Sequence, residues 1–91
     1  MILLTTYRLK PFLTKQETAE LMDAFAKYGA GPGVTAHYVS AEGAGGLVIS
    51  ETDDVAGGYR NILNYTRWVD YETKLMLSIE EALPLIADSL S

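Results

Sequence analysis

The feature that most limits how this chain can fold is that its strand-like runs are apolar on both faces. Side chains alternate sides along a strand. In "ILLTTYRL", residues 2–9, Ile2 and Leu4 therefore point one way while Leu3, Tyr7 and Leu9 point the other. Further along, Leu47 and Ile49 oppose Val48, and Tyr71, Leu75, Leu77 and Ile79 oppose Met76. A sheet covered by helices on one side should show a polar outer face. Here the second face would be an exposed apolar patch, which marks an interaction surface. The simplest cover is a second copy, sheet against sheet about a two-fold axis. The alternative is a monomer whose C-terminal helix folds across the open face.

The order of elements follows from local patterns. The first strand, 2–9, stops before Pro11, which cannot continue a central ladder. "TKQETAELMDAFAKYG" is a helix: Thr14 and Glu17 make a capping box, and Leu21, Met22, Phe25 and Ala26 share a face. Gly29 suits a left-handed helix end. "VTAHYVSA" and "GLVISE" are strands joined by the glycine-bearing "EGAG", so they are antiparallel neighbours. "TDDVAGGYRNILNYTRW" is a second helix, capped by Thr52 or Asp53, with Gly57 and Gly58 as anomalies that either permit close approach or break its first turn. "VDYETKLMLSI" is a fourth strand, and "SIEEALPLIADSL" a terminal helix with a Ser78–Glu81 capping box and a kink or restart expected at Pro84. The fold class is α+β: a ferredoxin-like β-α-β-β-α-β antiparallel sheet with a C-terminal helix, pairing as a dimeric α/β barrel. Residues 1–91 form one domain.

Charge and composition exclude several functions. The net charge is −5, and the seven basic residues are scattered, so the footprint of nucleic-acid binding is missing. There is no cysteine and one histidine, which leaves too few ligands for a metal site. No stretch approaches the length of a membrane span. The opening "MILLTTYRLK" lacks the basic start of a signal peptide, so the expected location is cytoplasmic. "GAGPG" precedes a strand and "EGAGG" joins two, so neither is a phosphate loop feeding a helix.

The stretch "HYVSAEGAGGLVISETDD", followed by an aromatic-bearing helix and "YETKLMLSIEEALP", resembles a family of small uncharacterised proteins in the dimeric α/β-barrel superfamily. The features in common are a His-Tyr pair, an acidic residue before a Gly-rich hairpin, a paired-acid helix start and a closing "IEEA"-like segment. The resemblance covers about residues 1–85 and implies the fold and a homodimer. The wider superfamily includes cofactor-free monooxygenases, haem-handling proteins, lactone isomerases and stress-response proteins.

His37 and Tyr38 are neighbours on a strand and must face opposite sides, so they are not a dyad in one pocket. His37 is the candidate catalytic base, as an imidazole titrates near neutral pH. Against that stands an ordinary structural histidine beside a hairpin. Tyr7, Tyr38, Tyr59 and Trp68 are the candidate ligand-binding residues, drawn from an aromatic set that also includes Tyr28, Tyr65 and Tyr71. An apolar body with a hydroxyl suits a partly polar ring as ligand, and suits a half-buried interface equally. Arg60 and Arg67 are candidates to hold a carboxylate at a pocket mouth, or else form a solvated face. The expectation is a homodimer binding a small aromatic or apolar molecule between sheet and helices, with no cofactor. The alternatives are a non-catalytic interaction dimer and a cofactor-free monooxygenase or isomerase-like enzyme.

Overall fold

The computed structural model describes residues 1–91, in the order β1 (Ile2–Leu9), α1 (Lys15–Tyr28), β2 (Val34–Val39), β3 (Gly45–Glu51), α2 (Val55–Ile62), β4 (Val69–Met76) and α3 (Ile79–Ser89). The four strands form one antiparallel sheet in the order β2-β3-β1-β4. The central strand β1 sets the register: Tyr7 lies opposite Gly46 on one side and Tyr71 on the other.

Both capping boxes form as the sequence predicts. Thr14 Oγ1 accepts from the Glu17 amide at 3.0 Å, and Ser78 Oγ accepts from the Glu81 amide at 3.1 Å. Gly29 closes α1 with φ 69° and donates its N–H to the Phe25 carbonyl. The β2–β3 hairpin closes through Ser40, whose amide donates to the Gly45 carbonyl at 2.7 Å.

Four local expectations change. The first concerns α2, which spans eight residues and ends at Ile62, not at Trp68. Beyond it, successive turns carry Tyr65 and Trp68 inward, with the Trp68 amide donating to the Tyr65 carbonyl at 2.9 Å. Its cap is Asp54, whose carboxylate accepts from the Gly57 amide at 2.9 Å. Thr52 instead accepts from the Asp54 amide, and Asp53 pairs with the N-terminal ammonium at 3.3 Å. A β-carbon at Gly57 would meet that Asp54 carboxylate, so a side chain there displaces the cap. Next, β4 stops at Met76, since its partner β1 begins at Ile2, directly opposite. Finally, α3 runs through Pro84 without a restart; proline has no N–H, so the Glu80 carbonyl loses its helical donor.

The core is small and lies at one end. Tyr65, Trp68 and Val69 are buried, and Leu9, Leu13, Leu21 and Ala24 pack against them. The Tyr65 hydroxyl donates to the Gly29 carbonyl at 2.6 Å, which ties the end of α1 to the segment after α2. Away from this end the helices stand off the sheet. α3 covers neither sheet face, as its apolar side chains lie open to solvent.

Candidate functional site

Between the sheet and helices α1 and α2 lies a cavity of about 550 Å³. Its floor is the odd-numbered face of β1 (Leu3, Thr5, Tyr7, Leu9) with Val48 of β3 and Tyr71 and Thr73 of β4. Leu21, Met22 and Phe25 of α1 and Tyr59 and Ile62 of α2 form its roof. The volume falls within the range of small-molecule sites. Of the residues lining it, none is Asp, Glu, Lys or Arg. Its polar groups are hydroxyls, backbone, one carboxamide and one imidazole. Arg60 and Arg67 do not line it; the Arg67 guanidinium lies 5.8 Å from the Trp68 ring.

The strand parity that separates His37 from Tyr38 assigns them to different sides. His37 pairs with Val48 on the cavity face, while Tyr38 pairs with Leu47 on the other and is 65% exposed. Across the sheet His37 meets Tyr7: Tyr7 Oη and His37 Nε2 are 2.7 Å apart, with the rings edge to face at 5.6 Å. Phe25 stacks edge-on against His37 from the roof at 6.3 Å. Tyr71 lies 6.0 Å from Tyr7 on the opposite flank.

Gly46 makes the placement of Tyr7 possible. A β-carbon at Gly46 would lie 2.7 Å from the Tyr7 hydroxyl and 2.9 Å from ring carbon Cζ, and would also strike the Tyr38 carbonyl. The ring of Tyr7 therefore lies over a bare backbone, and its hydroxyl reaches across β3 to β2.

Electrostatics keep these hydroxyls protonated. Burial raises the Tyr7 hydroxyl above its ordinary value. Tyr71 is pushed up to about 12 by burial, with the neighbouring Tyr65 and Tyr7 adding to it. Tyr65 is raised by burial and then by Tyr28. With the His37 hydrogen on Nδ1, Tyr7 donates to Nε2; with it on Nε2, the Tyr7 oxygen accepts. Tyr7 sits within the cavity and His37 at its exposed rim, so the pair links interior to solvent.

Of the ligand-binding candidates, Tyr7 and Tyr59 line the cavity together with His37, while Tyr38 and Trp68 do not. Trp68 is in the core, its indole Nε1 buried without a hydrogen-bond partner. Tyr65, Tyr71 and Phe25 line the cavity as well. Their signal in the sequence is parity: Tyr71 shares a face with Tyr7 once the β1–β4 register is known, and periodicity within one strand does not supply that register. Residues 1–90 match a family model described as a domain of unknown function, DUF3303. No curated protein matches the chain.

Proposed function

The chain belongs to the DUF3303 family, and from that premise we propose that it is a homodimer of the dimeric α/β-barrel kind that binds a small, uncharged, partly aromatic molecule between sheet and helices. The observation that carries the ligand class is the absence of any Asp, Glu, Lys or Arg around a cavity of about 550 Å³. A carboxylate moved into such a site finds no lysine or arginine to offset its lost hydration. A neutral ring with one hydroxyl loses little and donates a hydrogen bond to the Tyr7 oxygen. The strand order β2-β3-β1-β4 supports the ferredoxin-like reading, as β3 lies between β1 and β2, and β1 between β3 and β4. Each βαβ unit is thus split by a strand of the other. The outward row of Ile2, Leu4, Leu47 and Ile49 supports pairing of two sheets back to back.

The ligand reading is tested with two probes of one size, 1-naphthol and 1-naphthoate, in a titration calorimeter. Saturable binding of the naphthol, at least about tenfold weaker binding of the naphthoate, and loss of both in a Val48→Trp variant support it. Equal affinity for the two, or binding untouched by filling the cavity, refutes it.

The Tyr7–His37 bond favours one second reading, an isomerase-like enzyme. A bound ketone gives up an α-proton to the Tyr7 oxygen as Tyr7 passes its own proton to His37 Nε2. The enolate then recovers a proton at another carbon by the reverse path. Such exchange needs no cofactor, whereas an oxygenase would need dioxygen as second reactant. Deuterium uptake into 2-tetralone, followed by NMR, should be faster with the wild type than with His37→Gln. Equal rates count against His37 as the base.

A further inference from the structure

We infer that α3 is an exchanged arm: its stripe of Ile79, Leu83, Ile86 and Leu90 packs on a second copy of this chain and not on its own sheet. The inference rests on the homodimer reading above and adds the element that clasps it. The four residues recur at intervals of four, three and four, so they share one helix face. They are 61%, 54%, 52% and 82% exposed. Nothing in the chain's own fold covers them, although the Ser78–Glu81 box fixes where the helix starts.

Such a helix does not stand by itself. Isolated helices shorter than about 12–15 residues are marginal in water, and α3 has eleven. Its internal Pro84 lowers helix propensity further, as proline brings no N–H and crowds the preceding turn. Packing must supply what propensity does not.

The area to be covered matches a partner of this size. The accessible surface is 6646 Å², against roughly 5,200 Å² for a compact monomer of 9.9 kDa. The difference, about 1,400 Å², includes the walls of the open cavity as well as α3, and lies within the roughly 1,000–2,500 Å² that each member of an obligate pair buries. The radius of gyration is 15.9 Å and the longest extent 57 Å, where a compact chain of this length has a radius of about 12 Å. A two-fold exchange of identical arms removes the same excess from both chains at once. A lipid surface fits less well. The polar side of α3 carries Glu80, Glu81 and Asp88 and no lysine or arginine, the reverse of an interfacial helix.

The test compares wild type, Leu83→Glu/Ile86→Glu and Leu47→Glu by sedimentation velocity from micromolar to several hundred micromolar. The arm predicts a wild-type particle of about twice 9.9 kDa and a dissociation constant raised more than about 100-fold in the α3 double variant. A spin label on Ser89→Cys, unique in a cysteine-free chain, should broaden signals of an isotope-labelled second copy. A wild-type dimer whose dissociation constant is unchanged in the double variant overturns the arm and leaves sheet pairing standing. Loss of dimer in the double variant but not in Leu47→Glu upholds the arm and removes sheet pairing. A lone wild-type particle at all concentrations overturns both. Co-sedimentation of wild type with phosphatidylcholine–phosphatidylglycerol vesicles, lost in the double variant, also overturns the arm in favour of lipid.

Discussion

Gly46→Ala tests whether the cavity is organised around Tyr7. The added methyl would meet the Tyr7 hydroxyl at 2.7 Å and Cζ at 2.9 Å, and would strike the Tyr38 carbonyl. Ordinary carbon contacts lie near 3.5–4.0 Å, so the ring must retreat by roughly 0.6–1 Å. The Tyr7–His37 separation of 2.7 Å then passes the limit of about 3.2 Å for a good hydrogen bond. Overpacking of this kind costs about 1–3 kcal/mol, and two separate obstructions must yield. Removing a glycine from a strand returns roughly 0.5–1 kcal/mol. The net loss is about 2 kcal/mol, a fall in Tm of roughly 8–16 °C for a domain of this size. Thermal denaturation followed by circular dichroism reads the stability. The His37 ring signals in a heteronuclear NMR spectrum read the hydrogen bond. A Tm within about 3 °C of wild type, with the His37 signals unmoved, refutes the claim that Gly46 is what lets Tyr7 reach across the sheet.

Other perturbations have defined directions. Gly58 lies within α2 with nothing near its missing β-carbon, so Gly58→Ala should stabilise by about 1 kcal/mol in urea denaturation; no change would mean that α2 is frayed at that position. Phe12 is 97% exposed at φ 66°, a left-handed conformation that costs a branched or bulky residue about 1–2 kcal/mol. Phe12→Asn should therefore raise the urea midpoint, and a lowered midpoint would mean that the ring is held by contacts outside this chain. In strong base Tyr71 holds its proton in the folded state up to about pH 12, while the unfolded chain releases it near 10.0. The unfolded state thus binds fewer protons between those values. Stability from this source is complete below about pH 10 and is lost as pH rises toward 12. Tyr71→Phe should show a shallower decline of urea midpoint across that window, and an identical decline would remove Tyr71 as its cause.

Local chemistry made much of the fold legible. Pro11 marks the end of β1, and Thr14–Glu17 and Ser78–Glu81 mark helix starts, because a cap is satisfied within four residues of chain. Where a boundary depends on a distant partner, sequence pattern misplaced it. α2 ends at Ile62 and not Trp68, as the turns that follow let Tyr65 reach the Gly29 carbonyl, 36 positions back in the chain. β4 ends at Met76 although "LSI" continues its pattern, since β1 offers no partner beyond Ile2. The cavity set was partly legible for the same reason. Parity separates His37 from Tyr38, but only the pairing of β1 with both β3 and β4 brings Tyr7, His37 and Tyr71 together.

By itself, then, the sequence determined which segments are strands and helices, where most helices begin, and that apolar side chains crowd both faces of the sheet. These are properties of near neighbours along the chain, carried by alternation, helical spacing and caps. Only the tertiary structure decided which face holds the cavity, that no Asp, Glu, Lys or Arg lines it, that Tyr7 bonds His37 over Gly46, and that α3 leaves its own sheet uncovered. Register and helix placement arise from contacts between residues tens of positions apart, and no local period encodes such contacts.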